Sequence, residues 1–223
     1  MKTKDLMATF SLIAYDPEAE EWGIGVASKY LAVGAMVPWA KAGVGAIATQ
    51  AWGNPGYGPA GLKLLGEGQK PEAVIKTLTT ADPGRQLRQL AVIDAQGKSA
   101  VFTGKKCSSW AGSIQGENFS VQGNLLQGEQ VTKAIANCFQ AAQGRLAERL
   151  LKALQAGENA GGDKRGRQAA ALLVVKAAAG ANGLDDRYLD LRVDDHTRPL
   201  TELERLLKLF YQLKAAEKNS PAP

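Results

Sequence analysis

Hydrophobic positions recur along this chain with two periods, and the order of the periods sets the class of fold. Residues 8–15 and 22–28 are apolar-rich and flank the turn-forming Asp16-Pro17-Glu18, which predicts a β-hairpin. Gly43 to Thr49 predicts a further strand built largely of small residues. The run Gly53-Asn54-Pro55-Gly56-Tyr57-Gly58-Pro59 breaks the strand pattern and leads into helices near 59–67 and 71–80. Pro71 fits a first helical turn, and Asp82-Pro83-Gly84 ends the pair. Leu87 to Asp94 and Ser99 to Thr103 flank Ala95-Gln96-Gly97, a second hairpin, and Phe119 to Asn124 adds another strand. The period then changes. Val131, Ile135 and Phe139 recur at helical spacing, as do Leu146, Leu150 and Leu154. Ala169 to Lys176 reads as a buried strand. Leu189, Leu191 and Val193 alternate with Asp190, Arg192 and Asp194 as a half-buried one. Leu200, Leu203, Leu207 and Phe210 mark a last helix.

Strands and helices therefore come in runs rather than in strict alternation. That favours an α+β fold, antiparallel sheets covered by helices, over a parallel βαβ arrangement. The chain shows no repeat and no linker. The expected organisation is a leader at 1–7, one domain over 8–214, and a flexible polar tail at 215–223 that ends in Ser-Pro-Ala-Pro.

Composition narrows the function classes. A chain of 223 residues with 45% hydrophobic and 22% charged content can bury one sizeable core. The formal net charge is +5, but the basic residues are scattered apart from Lys105-Lys106 and Lys164-Arg165-Gly166-Arg167. No nucleic-acid motif accompanies them, so no nucleic-acid partner is expected. Cys107 and Cys138 form neither a metal-ligand spacing nor a disulfide framework. Cys107 follows two lysines, which lower a thiol pKa, or it is an inert loop thiol. His196 is the single histidine, which argues against a His-rich zinc site and a Ser-His-Asp triad. No apolar run approaches 18 residues, and Asp5 interrupts the basic start. The expectation is a cytoplasmic protein with no membrane partner, no metal and no cofactor.

The candidate chemistry begins at Thr9, at the head of the first strand. If the residues before it are removed, its hydroxyl becomes a nucleophile and its own α-amine the base. An α-amine titrates at about 7.7–8.0, close to working pH. Ser28-Lys29 closes the second strand, and Lys41 follows further on. Each lysine is either a charge beside the reactive hydroxyl, lowering its pKa, or a solvated surface group. Asn124, in Gln122-Gly123-Asn124, either donates to a developing oxyanion or shapes a turn. Arg165 and Arg167, in the glycine-rich approach 161–168, either clamp a substrate carboxylate or belong to a solvated loop. Asp194-Asp195-His196 is read as a capping or salt-bridge group rather than a metal site, because adjacent strand residues face opposite ways. Gly23-Ile24-Gly25 and Gly43-Val44-Gly45 do not make a nucleotide-binding fingerprint and are read as close sheet-on-sheet packing.

An ordered set of short motifs then resembles one family. The set includes Thr9-Phe10-Ser11, Ser28-Lys29, Ala32-Val33-Gly34-Ala35, Val37-Pro38-Trp39-Ala40 and Ala42-Gly43-Val44-Gly45-Ala46. It continues with Ala48-Thr49-Gln50-Ala51, Asn54-Pro55, Tyr57-Gly58, Val121-Gln122-Gly123-Asn124, Gly161-Gly162-Asp163 and Asp190-Leu191-Arg192-Val193-Asp194. Over roughly residues 8 to 210 the chain is similar to the bacterial family called domain of unknown function 1028. That family resembles the N-terminal-nucleophile (Ntn) hydrolases, which include proteasome β-subunits. The resemblance implies a four-layer αββα sandwich, two antiparallel sheets between helical layers. It implies amide- or peptide-bond hydrolysis with Thr9 as nucleophile and Lys41, by strand order, near the place of the proteasome lysine. Asn54 and Asp194, within the matching motifs, join Arg165 and Arg167 as substrate-binding candidates. Proteasome relatives assemble, so a homo-oligomer is a further expectation. Removing Met7 as an initiator exposes Ala8, so freeing Thr9 needs cleavage of the Ala8–Thr9 bond. Two readings stand: a hydrolase acting on a small molecule or peptide, and a non-catalytic ligand-binding or assembly protein on the same scaffold.

Overall fold

Alternation along the first hairpin decides which side chains meet which layer. In the computed structural model, which describes residues 9–107 and 109–219, β1 (Thr9–Asp16) pairs antiparallel with β2 (Glu21–Ser28). The register runs from Thr9↔Ser28 to Asp16↔Glu21. Successive strand residues point to opposite faces. Phe10, Leu12 and Ala14 accordingly enter one core cluster, while Ile13 enters another with Tyr15 packed against it.

The remaining elements follow in order: β3 (Pro38–Lys41), β4 (Gly45–Ala51), α1 (Tyr57–Gly66), α2 (Pro71–Thr80), β5 (Arg88–Asp94) and β6 (Ser99–Thr103). Then come β7 (Gly112–Gly116), β8 (Phe119–Asn124), α3 (Glu129–Ala141), α4 (Leu146–Asn159), β9 (Ala169–Val175), β10 (Arg187–Val193) and α5 (Pro199–Asn219). They form a six-stranded sheet in the order β10-β9-β2-β1-β8-β7 and a four-stranded sheet in the order β3-β4-β5-β6. Every strand pair is antiparallel. The fold is α+β, as the runs of strand and helix predict.

Three core clusters separate four layers. The first joins α3, α4 and α5 to the outer face of the six-stranded sheet through Leu12, Ile135, Leu150, Leu172 and Leu203. The second lies between the sheets, with Ile13, Ile24 and Val26 facing Ala46, Ala48 and Ile93. The third places α1 and α2 on the outer face of the four-stranded sheet through Leu65, Val74, Ile47 and Leu90. Each fully buried Leu or Ile contributes about 1.5–3 kcal/mol relative to exposure.

Gly23 and Gly25 act differently from the sequence expectation. A Cβ on Gly23 would lie 2.7 Å from Leu150 Cδ1, and one on Gly25 would lie 2.9 Å from Leu154 Cδ1. These glycines let α4 lie close on β2; they face a helix and not the second sheet. Strands β3 and β7 are absent from the sequence expectations. Both are edge strands. Their alternation is weak because an edge strand of Gly112-Ser113-Ile114-Gln115-Gly116 buries no complete face. Helix α5 continues through residues 215–219, which the sequence reading gave to a polar tail. The expected leader 1–7 and residues 220–223 lie outside the described residues. Among the described residues no helix is long and apolar enough to cross a membrane.

Candidate functional site

Thr9 occupies the first position of β1, one of the two central strands of the larger sheet. Its register partners are Ser28 on β2 and Asn124 on β8. Directly opposed residues share a face, so Ser28, Thr9 and Asn124 form one row toward the second sheet. Thr9 Oγ1 donates to Ser28 Oγ at 3.1 Å. Thr9 and Asn124 are fully buried, and Ser28 is nearly so.

Behind this row lies a polar cluster in the layer between the sheets. Gln50 and Gln89 oppose each other on β4 and β5. Gln50 Nε2 donates to Gln89 Oε1 at 2.8 Å and to the Thr9 carbonyl at 3.4 Å. Ser11 Oγ donates to Gln50 Oε1, and Gln122 Nε2 donates to Ser11 Oγ, both at 2.6 Å. Gln89 Nε2 donates to the Gly123 carbonyl at 2.9 Å. Asn124 Nδ2 donates to Gln89 Oε1 at 3.1 Å. Three glutamine amides thus fix the inner end of the row, since buried amides must be paired to persist. The sequence shows Gln50 only as a member of the motif Ala48-Thr49-Gln50-Ala51, without a role, and does not single out Gln89. Their signal was a polar residue at a core-facing position of a strand, as in Gln89 before Leu90, Ala91, Val92 and Ile93.

On the other side of Ser28 opens a cleft of about 270 Å³. Phe10, Ser28, Glu158, Asp163, Lys164 and Arg167 are among its lining residues. The loop between α4 and β9 forms much of the wall. It is held to the end of β8 by Lys164 N donating to the Leu125 carbonyl and Gln127 N donating to the Gly162 carbonyl. Gly161 and Gly162 take φ of 120° and 54°, a region that favours glycine. Asp163 anchors the loop. Its side chain is 1% exposed and accepts from Lys29 N at 2.9 Å, Arg165 N at 2.8 Å, and the Arg165 guanidinium at 2.9 and 3.2 Å. This carboxylate joins the residue after Ser28 to the cleft wall. The sequence placed Gly161-Gly162-Asp163 in a motif without giving Asp163 a role. Burial pushes the Glu158 carboxyl above the usual carboxylate range, and the charges of Arg167 and Arg198 oppose the rise.

The structure brings Thr9, Ser28, Asn124 and Lys29 to one end of the larger sheet and leaves Lys41 elsewhere. Lys41 is exposed and pairs with Gly45 on β4. Gln50, which reaches Thr9, stands five residues further along the same strand. At about 3.4 Å per residue that separates Lys41 from Thr9 by roughly 17 Å. The expected contact does not form, because β3 runs antiparallel to β4 and carries Lys41 to the far end. Lys29 stays close, with Nζ donating to the Arg167 carbonyl at 3.2 Å.

The substrate-binding candidates are engaged by the fold. Arg165 is bound by Asp163, and Arg167 Nε lies 3.3 Å from Glu158 Oε1. Asn54 Oδ1 accepts from Gly56 N at 3.1 Å and so shapes the turn into α1, away from the cleft. Asp194 pairs with Arg192 at 2.7 Å, and its carbonyl accepts from Ala32 N. His196 Nδ1 accepts from Arg198 N. Cys107 gains no thiolate character from its lysine neighbours: burial pushes its thiol up to about 11. No cluster of three metal-ligating side chains occurs among the described residues.

A model of a family of unknown function, DUF1028, matches residues 9–203. The match starts at the candidate nucleophile. Among solved structures, protein SPO2555 from Silicibacter pomeroyi, assigned to the same family model, is similar with 33% identity and a TM-score of 0.82. The match covers 90% of this chain and 88% of that one. No curated protein matches.

Proposed function

We propose that this chain, which belongs to the family of unknown function DUF1028, hydrolyses amide or peptide bonds with Thr9 as an N-terminal nucleophile. The observation that carries the reading is the row Ser28–Thr9–Asn124, with the Thr9 hydroxyl bonded to a serine that lines the cleft. Cleavage of the Ala8–Thr9 bond gives Thr9 a free α-amine on the strand next to Ser28, which lines that cleft. The amine takes the hydroxyl proton as Oγ1 attacks the substrate carbonyl. It returns the proton to the leaving nitrogen as the C–N bond breaks, leaving an ester on Thr9. A water then attacks that ester, with the same amine as base, and regenerates the hydroxyl.

The remaining groups position the reaction. Ser28 holds the Thr9 hydroxyl, and the buried glutamines hold Asn124 and the Thr9 carbonyl. Lys29 supplies positive charge beside the developing oxyanion. Lys41 has no part, since it stands too far away. The polar cleft suits a small molecule or short peptide, and a cytoplasmic homo-oligomer is the setting this reading assigns.

Intact-mass spectrometry of protein from native cells, combined with hydrolysis of a panel of acyl-amides and peptides, tests the proposal. The expected chain begins at Thr9, loses turnover in Thr9→Ala and retains part of it in Thr9→Ser. A mature chain that keeps residues before Thr9, with turnover intact in Thr9→Ala, overturns it.

A second reading, a non-catalytic ligand-binding protein, is favoured by one observation. Thr9 is fully buried, whereas the cleft is lined without it. Under this reading the uncut protein binds small anionic metabolites, read as a rise in Tm. Binding seen only after processing removes it.

A further inference from the structure

Asn124 carries a buried polar atom that the fold leaves unused. Its side chain is fully buried, and Oδ1 has no hydrogen-bond partner among the described residues. The orientation of the amide is fixed. Nδ2 donates to Gln89 Oε1, which also accepts from Gln50 Nε2, while Gln89 Nε2 is turned to the carbonyls of Gly112 and Gly123. Rotating the Asn124 amide would set its oxygen against the Gln89 oxygen. Oδ1 is therefore an acceptor in want of a donor, and such a group is destabilising when buried.

The same geometry commits one of the two Nδ2 hydrogens of Asn124 to Gln89 Oε1, on the second sheet. Its Oδ1 is an acceptor on the residue directly across from Thr9. Opposed antiparallel residues stand about 4.5–5.5 Å apart at Cα, so a nitrogen on Thr9 lies within side-chain reach. In the uncut chain that nitrogen is an amide with one hydrogen. Once freed it is an ammonium with three.

We infer that Asn124 is a positioning residue whose Oδ1 accepts a hydrogen bond from the liberated α-ammonium of Thr9. The inference rests on the reading of Thr9 as a processed N-terminus. The bond turns the amine toward its own hydroxyl and favours its charged form. It also gives processing a structural consequence, since cleavage supplies the donor that this buried oxygen lacks.

The test uses chains processed to begin at Thr9, labelled with 15N-threonine. All described elements lie at or beyond Thr9, so processing removes none of them. The α-amine pKa is read by NMR titration in the parent, in Asn124→Leu and in Asn124→Asp. The expected shift is downward by about one pH unit in Asn124→Leu, where the acceptor is lost. In Asn124→Asp, which keeps an acceptor oxygen and adds charge, the shift is upward by about one unit or more. An amine pKa unmoved in both variants overturns the inference. If Asn124→Leu fails to fold, the Asp variant alone decides, because its rise requires the carboxylate to face the amine. A processed chain that shows both shifts yet hydrolyses nothing refutes the hydrolase reading and leaves the Asn124 contact standing.

Discussion

Replacing Asp163 by alanine is the sharpest perturbation of the cleft that spares Thr9 itself. The carboxylate is buried and accepts from two backbone N–H groups, Lys29 and Arg165, and from the Arg165 guanidinium. Each of these part-buried N–H groups, left without an acceptor, costs about 1 kcal/mol, the low end of the range for buried groups. The guanidinium is 27% exposed, so water recovers part of its loss, and about 1 kcal/mol is assigned to it. The sum is about 3 kcal/mol, read as a lower midpoint in urea denaturation at unchanged slope. Asp163→Asn retains an acceptor oxygen and should lose about half as much. A double-mutant cycle with Arg165→Ala separates the contributions, with an expected coupling of about 1 kcal/mol. A total loss below about 1 kcal/mol, or a coupling indistinguishable from zero, would show that this carboxylate does not hold β2 to the cleft loop.

Three other consequences follow from the packing and electrostatics. The Arg88 guanidinium beside Asp82 is the main cause holding its carboxyl down at about 2, from an ordinary 3.8. A depressed carboxylate pKa stabilises the fold above the unfolded value, and that stability is lost as pH falls through the folded one. Asp82→Asn should therefore cost about 2 kcal/mol near pH 7, and the gap to the parent should close between pH 4 and 2 in denaturation curves. Gly25→Ala places a methyl 2.9 Å from Leu154 Cδ1 and should destabilise by about 1–3 kcal/mol, whereas Gly43→Ala, with open space around it, should lose only through its φ of +71°. In a Cys138→Ala background, Cys107 should react with a thiol reagent at neutral pH about a hundredfold more slowly than an ordinary thiol of pKa 9, because its own lies at about 11. Rapid labelling would contradict the burial of that thiol.

The sequence by itself determined the class and the elements apart from the edge strands β3 and β7. The apolar-rich runs of β1, β2, β5 and β8, the alternation of β10 and the 3.6-period runs of α3 and α4 mark the strands and helices and, in β10 and the helices, which face is apolar. The turn residues Asp16-Pro17-Glu18 and Ala95-Gln96-Gly97 fix where the hairpins fold back. Thr9 was legible because it heads a strand, and Ser28 because it ends the next one, so local pairing alone puts them side by side.

Only the tertiary structure decided what stands around them. Periodicity says which face a residue takes and nothing of which strand in another sheet lies opposite. Gln50 meets β1 and Gln89 meets β8 through the stacking of two sheets, and these partners are tens of residues distant in sequence. Lys41 missed its expected place for the same reason, since strand order cannot say which end of β4 faces Thr9. Arg165 and Arg167 read as a free basic pair, yet the folded chain sets Asp163 and Glu158 against them. The unpaired oxygen of Asn124 is likewise set by a bond network between sheets. Non-local contacts are chosen by the packing of whole layers, and no single strand's pattern contains that choice.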